Sequence, residues 1–157
     1  MKKVLLISIC CLLLFTGCTN NSNNINNNET NNSMNEINET KESDVKVSDI
    51  KVIINDKEYT LNLENNKTTQ EFIDLLPQEF TMNELNGNEK YVYMDDLLTT
   101  NSYNHKHIEK GDVMLFGDNC LVIFYKSFDT SYSYTKIGHI DNLENLGNGS
   151  ITAKFEK

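Results

Sequence analysis

Residues 111–125, GDVMLFGDNCLVIFY, contain two runs of large apolar residues separated by a polar segment. The runs DVMLF and CLVIFY have the length of strands and are too short for helices of a globular core. The segment between them, Gly117-Asp118-Asn119, consists of residue types that form turns. This stretch therefore predicts a β-hairpin with buried strands.

Short segments that alternate apolar with polar residues lie on both sides of this hairpin, as expected for strands with one buried face. Asn86-Gly87 joins two of them and is typical of a two-residue hairpin turn. Lys57-Glu58 marks a polar turn between another two, and residues 95–110 are predicted to be a loop. The further strand candidates are VSDIKVIIN at 47–55, EYTLNL at 58–63, FTMNEL at 80–85, YVY at 91–93, KIGHI at 136–140 and ITAKFEK at 151–157.

Two short helices are also predicted. Thr68 and Glu71 have the spacing of a capping box at the start of the first helix, and Pro77 ends it because proline cannot continue a helix. Asp141 is a suitable N-cap for the second helix, and Gly147 is a suitable C-terminal stop.

Roughly seven or eight short strands and two small helices predict a mainly β domain over residues 45–157, a β-barrel rather than a sheet of βαβ units. The succession LPQEFTM, NGNEKYVY, KGDVMLF, LVIFYKSF and KIGHID, between residues 76 and 141, resembles the small bacterial cyclophilin-like fold family. The resemblance covers Val47 to Lys157 and implies a closed, mostly antiparallel barrel with helices at its ends. That family usually carries Pro-Trp-Gly where this chain has Gly117-Asp118-Asn119.

The N-terminus has the features of an export signal. Two lysines precede an apolar run over residues 4–15. At about a dozen residues this run is shorter than the roughly 20 needed to span a membrane, and it has the length of a signal-peptide core.

Thr16-Gly17-Cys18 resembles the lipobox of bacterial lipoproteins, although Phe15 stands where leucine is usual. The resemblance implies a signal peptide at 1–17 and diacylglyceryl and N-acyl groups on Cys18. It also implies a lipid-anchored protein on the extracytoplasmic side of the cell membrane. An ordinary secretory signal that contains a cysteine is the alternative.

Residues 18–44 are predicted to be a disordered tether that begins at the lipidated cysteine. Eleven of the 26 residues from 19 to 44 are asparagine, and few are large and apolar. Such a segment cannot bury enough apolar surface to offset the entropy lost on ordering. As a flexible coil it would span roughly 25–30 Å.

The charge of the chain excludes nucleic acid as a partner. The full chain has a net charge of −9, and removal of residues 1–17 leaves 12 lysines against 23 acidic residues, a net charge of −11. Nucleic acid and anionic lipid head groups repel such a chain. We therefore assign membrane association to the acyl chains alone.

Cysteine usage excludes a disulfide within the processed chain. Cys10 and Cys11 leave with the signal peptide, Cys18 carries lipid, and Cys120 remains. Cys120 begins an apolar run and is predicted to be a buried thiol that acts as a small apolar side chain. The sequence shows no neighbour that would stabilise a thiolate there.

The first functional hypothesis is a binding module whose barrel groove holds a peptide, a glycan or a small molecule. Tyrosine is common on half-buried strands, so cross-strand packing is the alternative for each tyrosine, and for each one singly we favour it. For Glu89, the alternative, which we also favour, is a solvated pair with Lys90 beside the turn. The candidate residues are Glu89, Tyr91, Tyr93, Tyr125, Tyr132 and Tyr134.

The second hypothesis is prolyl isomerisation, which the resemblance to cyclophilins suggests. In true cyclophilins an arginine guanidinium polarises the prolyl amide, and lysine does not replace that planar, always-charged donor. This chain contains neither arginine nor tryptophan. We therefore favour the binding module over a foldase.

The third hypothesis is a metal site built from histidines. His105, His107 and Glu109 alternate, so on an extended segment they would point to the same side, and His139 is a further nitrogen donor. Two solvated histidines in a loop are the alternative, which we favour. We expect a ligand- or protein-binding module without catalysis, without a metal and without a cofactor.

Overall fold

The computed structural model describes residues 48–157. The predicted signal peptide at 1–17, the predicted lipid attachment at Cys18 and the predicted tether at 18–44 lie outside these residues. No helix in the described part of the chain is long and apolar enough to cross a membrane.

Residues 48–157 form ten strands and one helix, α1 (Lys67–Asp74). The strands are β1 (Ile50–Ile54), β2 (Lys57–Leu63), β3 (Gln78–Leu85), β4 (Glu89–Tyr93), β5 (His107–Ile108), β6 (Asp112–Phe116), β7 (Cys120–Phe124), β8 (Phe128–Asp129), β9 (Thr135–Ile140) and β10 (Ile151–Glu156). Eight strands close into one antiparallel barrel in the order β1-β10-β3-β4-β7-β6-β9-β2, and β5 pairs with β8. The prediction of a mainly β domain with a closed, mostly antiparallel barrel is confirmed.

The hairpin predicted from residues 111–125 is confirmed as β6 and β7. Leu115 pairs with Leu121, and both side chains lie in the main core inside the barrel. Their neighbours Met114 and Val122 also pair, and they belong to a second apolar cluster on the opposite face. Because successive side chains of a strand alternate between faces, burial on both faces explains the continuous apolar runs of this hairpin.

Helix α1 is held against the barrel by apolar packing and by its cap. Phe72 is buried in the main core and packs edge to face against Phe155, with ring centroids 5.3 Å apart. The N-cap is Asn66, whose side-chain oxygen accepts a hydrogen bond from the backbone N–H of Thr69 at 2.9 Å. The Asn66 amide also donates to the backbone oxygen of Lys136 in β9, so the cap joins α1 to the barrel.

The predicted capping box of Thr68 and Glu71 is therefore wrong, although the helix itself is confirmed. Both residues bind the loop at Thr99 instead. The Thr68 hydroxyl donates to the backbone oxygen of Thr99, and the Glu71 carboxylate accepts hydrogen bonds from the Thr99 N–H at 2.6 Å and hydroxyl at 2.8 Å. A tertiary contact uses the polar groups that the local pattern assigned to the helix terminus.

The second predicted helix, with Asp141 as its cap, is wrong, because α1 is the one helix of residues 48–157. Asn142 has a φ of 56°, and a right-handed helix cannot contain that conformation. Further along, the backbone oxygens of Gly147 and Gly149 accept hydrogen bonds from the Lys90 ammonium at 2.6 and 2.7 Å. These hydrogen bonds attach the chain at the end of the predicted helix to the buried Lys90.

The polar turn expected at Lys57-Glu58 lies two residues earlier. Asn55 and Asp56 have φ values of 46° and 65°, and Lys57 already begins β2. Two consecutive left-handed residues are the conformation of a type I′ hairpin turn, which asparagine and aspartate tolerate. The loop predicted over 95–110 is irregular except for the two residues of β5 and an isolated bridge between Tyr103 and Tyr134.

Candidate functional site

A small apolar layer covers the outer face of the barrel over β4, β6 and β7. In the register of β4 with β7, Tyr91 lies opposite Val122 and Tyr93 lies opposite Cys120. Residues at alternate positions share a face, so Glu89 projects on the same side as these four. The segment after β8 packs over this face, where Tyr134 is buried.

This layer contains a pocket of about 290 Å³. The volume is close to the lower end of the range of about 300–1,000 Å³ found for small-molecule sites. Five of the lining side chains are aromatic, and we call this cavity the aromatic pocket. It is lined by Leu85, Asn86, Glu89, Tyr91, Tyr93, Phe116, Cys120, Val122, Tyr132 and Tyr134.

The aromatic rings of the pocket stand at steep angles to one another. Tyr91 and Tyr93 pack edge to face with centroids 5.9 Å apart, and Phe116 and Tyr132 do so with centroids 6.1 Å apart. Phe116 also packs against Tyr134, with centroids 5.5 Å apart and ring planes inclined by 51°. The walls therefore present both ring faces and ring edges.

Glu89 is the acidic side chain of the aromatic pocket. The residue is 8% exposed. Burial, and secondarily the charge of Glu84, raise the pKa of Glu89, and no hydrogen bond from the described residues contributes to the shift. A carboxylate without donors in an apolar wall is costly to ionise, and an external donor or cation would offset that cost.

Cys120 and Tyr134 are two further ionisable residues of the pocket wall, and both are neutral near pH 7. Burial raises the pKa of the Cys120 thiol to about 11 and the pKa of the Tyr134 hydroxyl to about 12, and the Glu89 charge adds to both shifts. Cys120 is thus a buried thiol, as the sequence indicated, and its protonated state does not favour nucleophilic chemistry. It belongs to the pocket wall, which the sequence did not indicate.

The structure brings together most of the residues proposed for a binding groove. Glu89, Tyr91, Tyr93, Tyr132 and Tyr134 all line the aromatic pocket, whereas Tyr125 does not. The segments that carry them are separated in the sequence, and the β4–β7 register and the fold-back after β8 bring them together.

Tyr125 belongs to a buried polar cluster on the inner face instead. Its hydroxyl donates to the Glu84 carboxylate, 2.8 Å from each oxygen. Lys90 is fully buried there, paired with Glu84 and placed 4.9 Å from the centroid of the Tyr125 ring. The expectation that Glu89 and Lys90 form a solvated pair beside the turn is therefore wrong, because adjacent strand residues point to opposite, buried faces.

The structure separates the histidines considered as metal ligands. His105 stacks on Tyr103, with centroids 3.8 Å apart, and His107 lies 2.6 Å from the Asp129 carboxylate. His139 contacts the buried Asp112 at 2.9 Å, in the barrel wall. Within residues 48–157 no group of three or more His, Cys, Asp or Glu side chains is placed to hold a metal ion.

The alternation expected over residues 105–109 holds for His107 and Glu109, whose side chains lie 3.5 Å apart on either side of Ile108 in β5. It does not extend to His105, because Lys106 between the two histidines has a φ of 64° and is not extended. The hydrogen bond that His107 donates to the Asp129 carboxylate raises the pKa of His107, and the Glu109 carboxylate 3.5 Å away contributes through its charge. These contacts tie β5 to β8 at the surface.

Five lining residues were not among the sequence candidates for a binding groove: Leu85, Asn86, Phe116, Cys120 and Val122. The sequence did contain a signal for Phe116, because it continues the alternation from Met114 on the outer face of β6. Asn86 was identified only as a turn residue, and nothing in its local pattern indicates that it lies at a pocket.

Comparison with known proteins identifies one family. The sequence model of the cyclophilin-like family matches residues 52–156, which include nearly the whole barrel. Comparisons with curated proteins and with solved structures gave no significant match. The match confirms the resemblance seen in the sequence between residues 76 and 141. The chain belongs to the cyclophilin-like family.

Proposed function

We propose that this protein is a ligand-binding module that acts without catalysis, and that its binding site is the aromatic pocket on the outer face of the barrel. The observation that carries the proposal is the convergence of five aromatic side chains and one carboxylate, Glu89, around a cavity of about 290 Å³; Glu89 has no hydrogen-bond donor among residues 48–157. Aromatic walls with few polar groups are typical of small-molecule sites.

Exposed aromatic rings support binding over simple packing. Tyr93 is 65% exposed and Tyr132 is 63% exposed, and both lie at the pocket. Rings that only stabilise a fold are usually buried, whereas a contiguous exposed apolar patch commonly marks a contact with a partner or ligand. A small molecule bound between them would cover this surface.

Prolyl isomerisation is the alternative that the family suggests, and the residue composition disfavours it. Positioned electrostatic donors usually supply the largest contribution to catalysis, and true cyclophilins use an arginine for this. The chain contains no arginine, and its tyrosine and asparagine donors are neutral. We propose binding rather than isomerisation for this reason.

The N-terminal sequence extends the proposal to location. A basic start, a short apolar run and Thr16-Gly17-Cys18 support a lipoprotein anchored through Cys18 to the cell membrane, with the barrel on the extracytoplasmic side. Two acyl chains hold a protein in a membrane far better than one. The barrel would then meet its ligand outside the cytoplasm.

The proposal can be tested by saturation-transfer NMR with the full chain in a maltoside detergent. The probes are a small set of neutral, anionic and cationic compounds, including a proline peptide. We expect at least one class to bind and its signal to be lost in Tyr93→Ala/Tyr132→Ala. The control is Tyr103→Ala, which removes an exposed tyrosine outside the pocket.

Binding that persists unchanged in the double variant would contradict the proposed site, and the absence of binding by every class would contradict the binding function. In the same samples, cis–trans exchange of the proline peptide should proceed at the uncatalysed rate. An enhancement of about a hundredfold, which corresponds to roughly 3 kcal/mol of barrier, would replace binding by isomerase activity.

A further inference from the structure

Among residues 48–157, Glu89 is the one carboxyl group in the lining of the aromatic pocket, and its ionised, negative form is the full charge that this lining can supply. The lining contains no lysine and no histidine, and the chain contains no arginine. The thiol and the tyrosine whose pKa values are raised are neutral there. Glu89 is therefore the charge that a ligand would meet.

No cation of the described chain is available to Glu89. The neighbouring Lys90 projects to the opposite face of β4, where it binds Glu84 and the backbone oxygens of Gly147 and Gly149. These three acceptors match the three donors of an ammonium group, so Lys90 is fully occupied. A positive charge for the Glu89 carboxylate has to come from outside residues 48–157.

The lining also restricts the kind of cation. A hard metal ion needs about six oxygen ligands, and no group of three carboxylate, histidine or cysteine side chains within residues 48–157 is placed to hold one. A quaternary ammonium group has no hydrogen-bond donors, an apolar methyl surface and a dispersed positive charge. Such a group is attracted to the faces of aromatic rings.

We propose that the aromatic pocket binds a trimethylammonium group, which contacts the rings of Tyr91, Tyr93, Phe116, Tyr132 and Tyr134 and is neutralised by the Glu89 carboxylate. This inference rests on the proposed function, since it names the class of ligand for the same site. The inclined rings place aromatic surface on several sides of one cavity, and Glu89 would supply the counter-charge within an apolar wall.

Trimethylammonium occurs both in free choline and in choline head groups, and the charge of the protein favours the free form. A head group carries a phosphate next to the ammonium, which would lie near Glu89 in a chain with a net charge of −9. We expect choline to bind more tightly than glycerophosphocholine, a soluble copy of the head group. Tighter binding of glycerophosphocholine would overturn the assignment to free choline.

The test is isothermal titration of the full chain in a maltoside detergent with choline. The neutral compound 3,3-dimethylbutan-1-ol has the same shape as choline, and ethanolamine has the charge without the methyl groups. We expect both to bind at least about tenfold more weakly than choline, a difference of roughly 1.4 kcal/mol. Equal affinity for the neutral compound would show that charge has no role and would overturn the proposal.

Two pairs of variants localise the effect. Glu89→Gln should weaken choline binding at least about tenfold, because it removes the counter-charge and keeps the shape, whereas Glu79→Gln removes an exposed carboxylate outside the pocket and should leave binding unchanged. Tyr93→Phe should retain binding and Tyr93→Leu should weaken it, since only the ring matters for a cation–π contact. Choline binding that is weakened by Glu79→Gln and not by Glu89→Gln, or by Tyr93→Phe and not by Tyr93→Leu, would contradict the proposal.

Choline affinity should also fall on acidification. The titratable groups that act on Glu89 or feel its charge are Glu84, Cys120 and Tyr134, and the raised pKa of Glu89 means that its charge is lost above the usual glutamate range. In Glu89→Gln the choline affinity should not change over the pH range in which Glu89 of the parent protein becomes protonated. A pH dependence that is retained in Glu89→Gln would contradict the assignment.

Failure of this inference can be distinguished from failure of the proposed function. If a neutral or anionic compound binds and its binding is lost in Tyr93→Ala/Tyr132→Ala while choline does not bind, the aromatic pocket is a ligand site of a different class. That result would overturn the trimethylammonium assignment and leave the binding module intact.

Discussion

Lys90 is a fully buried charge that connects three parts of the fold. Its ammonium pairs with Glu84 on β3 and donates to the backbone oxygens of Gly147 and Gly149, and the Tyr125 ring lies beside it. Burying a charge is costly unless it is paired and hydrogen-bonded, and these partners satisfy it. The residue therefore attaches the irregular segment before β10 to the barrel.

Replacement of this residue should be strongly destabilising. Lys90→Met removes the counter-charge of the Glu84 carboxylate, which keeps the Tyr125 hydroxyl as a donor, and it leaves two backbone oxygens without the ammonium. Breaking a buried pair costs about 3–5 kcal/mol of unfolding free energy. Urea unfolding at neutral pH measures the loss. The exposed Lys110→Met is the control and should change the unfolding free energy by no more than about 0.5 kcal/mol.

A second variant tests the reason for this loss. Glu84→Gln/Lys90→Met removes both charges, so it should recover part of the stability that Lys90→Met loses. Burial opposes ionisation of Glu84, but hydrogen bonds from Lys90 and Tyr125 outweigh it and hold the pKa of Glu84 below its usual value. The pair therefore stabilises the fold above the usual glutamate pKa and is lost as the pH falls through the lowered pKa. No recovery in the double variant would contradict this account.

At the scale of elements, the barrel is closed by a short pairing between β2 and β9. Three residue pairs join these strands, among them Leu63 with Gly138. A Cβ atom added at Gly138 would lie 2.4 Å from the backbone oxygen of Asn62 and 2.8 Å from a methyl carbon of Leu61. Glycine is required here by close approach of the two strands, not by its φ angle.

Gly138→Ala should therefore separate β2 from β9 and lower the unfolding free energy by about 1–3 kcal/mol, the cost of overpacking against backbone. Urea unfolding and hydrogen exchange of the β2 amides would measure the effect. Thr81→Ala, on the exposed face of β3, is the matched control and should cost about 0.5 kcal/mol or less. Unchanged exchange at β2 in Gly138→Ala would contradict the role of this closure.

At the scale of the whole molecule, the barrel and the N-terminal segment have separate tasks in the proposed function. The barrel carries the aromatic pocket, and the 26 residues from 19 to 44 carry little apolar surface. A net charge of −9 opposes adsorption to anionic membranes, so attachment would depend on the lipid at Cys18.

Cys18→Ala should abolish both acylation and membrane attachment, since the thiol is the proposed acceptor of the diacylglyceryl group. Labelling of bacteria that express the chain with radioactive palmitate measures acylation, and fractionation measures attachment. Cys120→Ala is the control, because that thiol is buried in the barrel and should not affect labelling. Equal palmitate incorporation in Cys18→Ala and the parent chain would disprove the lipoprotein assignment.

The fold was largely predictable because its determinants are local. Continuous apolar runs at β6 and β7, alternation in β2, and the Asn86-Gly87 turn each reflect the two-residue period of strands and the preferences of turns. The absence of a helix at 141–147 could not be predicted, because Asp141 and Gly147 are suitable residues for the two ends of a helix. In the structure Asn142 is left-handed, and the backbone oxygen of Gly147 accepts a hydrogen bond from Lys90, 57 residues earlier in the chain.

The residue types of the candidate site could be predicted from the sequence, but their arrangement around one pocket could not. The sequence by itself determined that the chain has tyrosines among its strand candidates, no arginine, and Cys120 at the start of an apolar run. Tertiary structure alone decided that Glu89 faces an aromatic pocket while Lys90 faces the core, that Tyr125 belongs to the core, and that Phe116 joins the wall. The physical reason is that strand register and the covering segment after β8 assign each side chain to a face, and both depend on contacts between residues far apart in the chain.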